Sequence, residues 1–274
     1  MKKTLVIGLG IIGGSICAAL TKAGYCVDGA DLNENVLSLA KEKGYIQNAA
    51  KDFSRYDTVF IAVPPKATCA ILDSGVFKEG ALVSDICGVK SEIERVVYRK
   101  PRAYRYVGLH PMAGKETSGL SSASPDLFNG ANLVITLSNH TEKSAVDEIK
   151  DFAKAMRFGR IVECSADEHD KKIAVTSQLA HIVSNAYVKS PQVNDCKGFT
   201  GGSFQDMTRI AGVDEEMWSQ LYLNNKDYIL SELEGFINRL IVYRDAIKEE
   251  DETQLKAALK EGKLIRQRIK YTKK

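Results

Sequence analysis

TLVIGLGIIGGS, residues 4–15, decides the fold of this chain. Leu5-Val6-Ile7 reads as a short buried strand, and GGSICAALTKAG, ending at Gly24, reads as a helix. Between them Gly8-Leu9-Gly10-Ile11-Ile12-Gly13 spells G-x-G-x-x-G. A strand that enters a helix through this loop is built for a dinucleotide: Gly8 allows the tight turn, Gly10 lets a pyrophosphate approach, and Gly13 lets helix and strand pack closely. The helix start presents unpaired N–H groups and a positive dipole to the phosphates. The next strand, CVDGAD, ends at Asp31, where an acidic residue binds the adenine-ribose hydroxyls. The alternative for Asp31 is a place beside a helix N-cap. No Arg or Lys follows in LNENV, and a carboxylate repels a 2′-phosphate, so NAD is expected over NADP.

Working outward, strand-like and helix-like segments alternate to about residue 165. TVFIAVP, ALVSDIC, YRYVGLH, NLVITL and RIVECS read as strands, and TEKSAVDEIKDFAKAM as an amphipathic helix. This alternation predicts an α/β fold with a largely parallel sheet covered on both faces, a Rossmann-type domain over residues 1–165. SADE then reads as a capping box, and residues 166–190 run on as a long helix without Gly or Pro. After the break GFTGGSF, helical periodicity resumes in MWSQLYLNNKDYILSELEGFINRLIVYRDAI and ETQLKAALKEGKLIRQRIK. Residues 166–274 are expected to be all-helical. Their apolar stripes exceed what so short a segment can bury against itself, which predicts a helical homodimer interface.

The totals exclude several classes. A formal net charge of +3 over 274 residues is too mild for a nucleic-acid binder. The basic C-terminal run KLIRQRIKYTKK suits a solvated helix end. The 6 cysteines form no Cys-x-x-Cys pair and do not cluster with the 4 histidines, so no metal site is expected. Scattered thiols without a secretory signal predict a reduced, cytoplasmic protein. No stretch is long and apolar enough to span a membrane.

The candidate chemistry starts at VGLHPMAGKETSG, residues 107–119. His110 closes a strand in front of Pro111, which confines it to extended backbone and holds it at the strand tip. There it shares a rim with the glycine loop, because ligands of open α/β sheets bind beyond the strands' carboxyl ends. A neutral imidazole at that place can accept a proton from a substrate hydroxyl; a structural hydrogen bond to a loop is the alternative. On the long helix Ser177 and Gln178 stand four and three residues before His181, a spacing that places them on one face. They read as a lined pocket or as an interhelical hydrogen-bond network. Arg209 follows GGSFQDMT, where it either pairs with Asp206 or offers its fork to a substrate carboxylate.

GLGIIGGS, AVPP, SDICGVK, GLHPMAGKETSG, TSQLAH and GGSFQDMTRIA occur in the order found in the prephenate/arogenate dehydrogenase family, which the chain resembles from about residue 4 to about residue 240. The resemblance implies a nucleotide-binding domain followed by a helical dimerisation domain, and NAD-dependent oxidative decarboxylation of prephenate to 4-hydroxyphenylpyruvate in tyrosine biosynthesis. It implies that His110 takes the proton of the ring hydroxyl as hydride leaves the same carbon for NAD, with carbon dioxide lost from C1. Arg209 matches a carboxylate-binding position; His181, Ser177 and Gln178 match pocket positions near the substrate side chain; Glu116 matches an acidic residue at the pocket entrance. Gly8, Gly10, Ile11, Ile12, Gly13, Asp31, Val63 and Pro64 are the expected cofactor contacts.

Two positions depart from the family pattern. Gly88 stands where the family often has a serine that touches both nicotinamide and substrate hydroxyl. Gln178 stands where many relatives carry histidine, and an amide holds no positive charge near neutral pH. A stand-alone dehydrogenase is expected, without fused mutase or regulatory domain. The alternatives are arogenate as substrate, a β-hydroxyacid dehydrogenase or imine reductase on the same domain plan, and a non-catalytic NAD sensor.

Overall fold

The computed structural model describes residues 2–114 and 117–269. β1 (Lys3–Ile7), β2 (Cys26–Ala30), β3 (Thr58–Ile61), β4 (Leu82–Asp85) and β5 (Arg105–Tyr106) form one parallel sheet in the order β2-β1-β3-β4-β5. The crossovers are α1 (Ile11–Lys22), α2 (Glu34–Glu42), α3 (Pro65–Ser74) and α4 (Ser91–Tyr98). The central strands are buried on both faces, as their unbroken apolar runs require. The two-residue side-chain period of a strand splits them between two cores. Val6 and Phe60 join α1 and α5 (Lys143–Ala155) in one core, with Phe60 edge-on to Phe152 at 5.3 Å. Leu5, Ile7, Val59 and Ile61 join Leu72 of α3 and Ile93 and Val97 of α4 in the other.

The expectation of one largely parallel sheet fails at Val107. Val107 N–H still bonds to Val83 O, but the chain then enters a second sheet, β6 (Gly108–Met112), β7 (Asn132–Thr136) and β8 (Arg160–Cys164). β6 runs antiparallel to β7, and β8 is parallel to β7. Gly108 marks the change: a Cβ there would stand 2.4 Å from Thr136 Oγ1 and 3.0 Å from the Tyr106 hydroxyl. His110 is therefore mid-strand, paired with Val134, and not at a strand tip. It still lies beyond the carboxyl end of β5, on the rim that carries the glycine loop.

Helices follow β8. Ser165 Oγ accepts the Glu168 N–H and caps α6 (Ala166–Ile173). The expected uninterrupted helix carries a π-helical turn over Ala174–Gln178 before α7 (Leu179–Tyr187). The wider turn breaks the 3.6-residue phase on which the placing of Ser177, Gln178 and His181 on one face rests. α8 (Gly202–Thr208), α9 (Glu215–Asn224), α10 (Lys226–Lys248) and α11 (Glu252–Arg268) complete this half. The helix expected to run unbroken from Met217 is interrupted at Asn225, whose amide turns inward to donate to Asp170 O at 2.9 Å and Gln178 Oε1 at 2.5 Å. α10 buries Ile229 and Ala246, while Leu230, Ile237, Leu240 and Ile247 stay exposed in the single chain, an apolar face that calls for a cover.

Replacing Asn225 by Ala leaves the buried Gln178 Oε1 without this donor. The expected loss of unfolding free energy is about 1–3 kcal/mol, measured by urea denaturation; an unchanged midpoint would mean that the inward-turned amide contributes nothing.

Candidate active site

The loops that follow β1 to β4 converge on one rim. Gly8 has φ +87°, a left-handed conformation, and a Cβ there would stand 2.5 Å from Ala62 O and 2.6 Å from Val63 Cγ1. A Cβ on Gly13 would meet Gly8 O at 1.9 Å, so this helix can approach the strand only as glycine. Gly10 faces open space, with no atom within 4 Å of the place a side chain would take. No side chain caps α1, so its first N–H groups face that space with Ile11 and Ile12. Asp31 Oδ2 accepts the Leu9 N–H at 2.8 Å and Oδ1 the Asn33 N–H at 2.9 Å, which fixes the carboxylate across the mouth of β1 and β2 with lone pairs to spare. Val63 and Pro64 close the side nearest β3, with Pro64 as N-cap of α3. These residues fit a dinucleotide: an open cradle at Gly10, an uncapped helix start for the pyrophosphate, and an anchored carboxylate for ribose hydroxyls.

His110 faces two surroundings. Its Nδ1 is 2.8 Å from His169 Nε2, and His169 Nδ1 is 2.7 Å from Asp170 Oδ1. The other edge of the ring, Nε2 and Cε1, lies 3.7 Å from where a Cβ on Gly88 would be. Gly88 thus leaves room beside this edge of the ring, and Leu221 Cδ2 stands 3.5 Å from the same point. Burial, then the charges of His169 and Lys90, hold His110 well below the ordinary imidazole pKa of 6.5. Burial also depresses His169, against the pull of its hydrogen bond to Asp170. Burial opposes ionisation of Asp170, but hydrogen bonds from His169 and Ser91 outweigh it and keep its pKa low.

Lys90 and Asp85 form a fully buried ion pair under this site, with Nζ to Oδ1 at 2.5 Å. Asp85 also accepts from the Tyr106 hydroxyl and from Cys87 N–H. A pair so far from water keeps its charges only with its hydrogen bonds filled, and here they fasten the β4–α4 loop that carries Gly88. Cys87 is inert as a nucleophile, since burial pushes its thiol up to about 12.

A cavity of about 410 Å³ opens between the glycine loop and the helical half, lined by Ile11, Thr117, His181, Arg209, Met217 and Trp218 among others. That volume suits a small substrate. His181 Nδ1 must carry a proton to bond to Ser177 O at 2.9 Å, and its ring lies 4.0 Å from that of Trp218. One turn further along α9, Leu221 reaches the space beside His110. The structure therefore brings Arg209, His181 and the cofactor loop to one cavity, while His110 lies outside its lining, beside Gly88. Ser177 contributes its carbonyl to His181. Gln178 does not join this lining: it is 1 % exposed and donates to Leu221 O, so its task is to hold α9. Glu116 lies outside the described residues.

Sequence reasoning missed His169, Asp170, Lys90, Asp85 and Trp218. The capping box marked the start of α6 only as the opening of a long helix. A usable signal was present: Ala166, His169, Asp170 and Ile173 are its buried residues, so a polar pair sits on the apolar stripe.

Residues 16–162 match the family model described as prephenate dehydrogenase, nucleotide-binding domain, and residues 165–261 match prephenate dehydrogenase, dimerization domain. A prephenate dehydrogenase of Bacillus subtilis (strain 168) is 33% identical over 275 residues, spanning 93% of this chain and 73% of the relative. A cyclohexadienyl dehydrogenase of Zymomonas mobilis is 29% identical over 286 residues, spanning 98% and 96%. The crystal structure of prephenate dehydrogenase from A. aeolicus in complex with hydroxyphenyl propionate and NAD+ is similar with a TM-score of 0.85 and 30% identity, covering 98% of this chain and 99% of that one. The chain belongs to the prephenate dehydrogenase family.

Proposed function

We propose that this chain catalyses the NAD-dependent oxidative decarboxylation of prephenate to 4-hydroxyphenylpyruvate. In this reading it works in the cytoplasm as a homodimer, with residues 1–165 holding the dinucleotide and residues 166–274 the substrate and the partner copy. The observation that carries the reading is the edge of His110 that holds Nε2, turned to the open space beside Gly88, on the rim where the β1–β4 loops meet. NAD, when bound, accepts the hydride.

His110 Nε2 takes the proton of the ring hydroxyl, and its low pKa keeps it unprotonated and ready at neutral pH. Loss of carbon dioxide leaves that oxygen on an aromatic ring, where it needs a proton again. His110 returns it, so the overall reaction releases none. Arg209 holds a substrate carboxylate, where its planar fork binds two oxygens at once. His181, with Nδ1–H tied to Ser177 O, offers Nε2 to the substrate side chain. Trp218 backs the His181 ring and narrows the cavity. Gly8, Gly10, Ile11, Ile12 and Gly13 take the pyrophosphate, Asp31 the adenine ribose, and Val63 and Pro64 the nicotinamide side.

Incubation with prephenate and NAD is expected to form NADH and carbon dioxide in equal amounts. His110→Asn should lower kcat by roughly 10²–10⁴-fold while NAD binding persists; robust turnover in that variant would remove His110 from the chemistry. Because the competent base is neutral and its pKa is depressed, kcat/KM should stay level from about pH 8 down past about 6.5 and fall only in more acidic solution. An acid limb centred above pH 7 would contradict this. Asp31→Ser should narrow the preference for NAD over NADP, read as the ratio of the two kcat/KM values; an unchanged ratio would place the selectivity elsewhere.

A further inference from the structure

We infer that Asp170 and His169 are positioning residues that set the tautomer of His110 and thereby put the lone pair on its reactive nitrogen. The inference rests on the reading of His110 as the base. The direction of the chain of hydrogen bonds follows from its fixed end. Asp170 Oδ1 accepts the Lys90 N–H at 2.9 Å, and Oδ2 accepts the Ser91 N–H at 2.8 Å. Lys90 is the N-cap of α4 and Ser91 its first residue, and no side chain of the helix caps it. Backbone N–H groups only donate, and a helix start favours a negative charge, so Asp170 is held as a carboxylate acceptor.

Everything else follows in one sense. His169 Nδ1 must donate to Asp170 Oδ1, so a neutral His169 has its lone pair on Nε2. His110 Nδ1 must then donate to His169 Nε2, which leaves the lone pair of His110 on Nε2, on the edge beside Gly88. Gly88 has no side chain to steer the ring from that edge, so the ring's orientation depends on His169. When His110 takes a proton on Nε2, its Nδ1–H keeps the same bond, and the positive charge faces Asp170 through the His169 ring.

Asp170→Asn tests the direction. With the amide oxygen kept on the Ser91 N–H, the NH₂ gives up the Lys90 N–H bond, donates to His169 Nδ1, moves that ring's proton to Nε2, and forces His110 to carry its own proton on Nε2. The variant should lose about 100-fold or more in kcat, with KM for NAD and for prephenate changed by no more than about threefold. His169→Gln, whose amide oxygen still accepts from His110 Nδ1, should keep more activity than His169→Leu, which offers no acceptor. Nitrogen-15 NMR of histidine-labelled protein without substrate reads the tautomer independently of turnover. His110 Nε2 should show the shift of an unprotonated nitrogen in the unaltered chain and of a protonated one in Asp170→Asn. A proton on Nε2 in the unaltered chain overturns the inference whatever the substrate is. Full kcat in both Asp170→Asn and His169→Leu overturns it as well. Loss of prephenate turnover by the unaltered chain, with the expected nitrogen shifts, would fault only the assigned reaction.

Discussion

The carboxylate of Asp170 on the first N–H groups of α4 is the joint on which this molecule turns. A helix start needs partners for its N–H groups, and α4 finds them 79 and 80 residues away, on α6. One side chain thereby caps a helix of the nucleotide-binding half and ties down the first helix of the other half. It also anchors His169 and, through it, His110. The same α4 start follows the loop that carries Gly88, and Lys90 beneath it is locked to Asp85. His110, the helix that holds it through His169 and the loop that carries Gly88 are therefore held by one buried polar network.

That network lies where the two sheets meet. The parallel sheet sends its loops to one rim and so gathers the glycine loop, Asp31, Val63 and Gly88 by topology alone. By itself it carries no histidine to that rim. The chain brings one by leaving the parallel ladder at Val107 and pairing β6 with β7, which carries His110 past the rim and against α6. The helical half then closes the far side, with Arg209, His181 and Trp218 lining the cavity that Ile11 of the cofactor loop also touches.

The parts legible in the sequence were those set by local rules. G-x-G-x-x-G between a strand and a helix defined the first crossover, because each glycine answers a short-range steric demand that the structure shows at Gly8 and Gly13. The Ser165 cap was equally local. Less legible was anything that depends on a partner far along the chain. The switch of sheets at Gly108 depends on Thr136, and the break at Asn225 on Asp170 and Gln178. Gln178 shared a regular helix face with His181 only if the helix was regular, and the π-helical turn removed that condition. His169 and Asp170 were hidden because a buried polar pair is read from its partners, and those lie on α4 and β6.

The most direct test of the account is a crystal structure of the protein with NAD and an unreactive hydroxyphenyl acid. The account places the ligand's ring hydroxyl within about 3 Å of His110 Nε2, with a carboxylate of the ligand on Arg209. A ligand bound in the opposite sense, with its carboxylate at His110 and its hydroxyl toward Arg209, would contradict it.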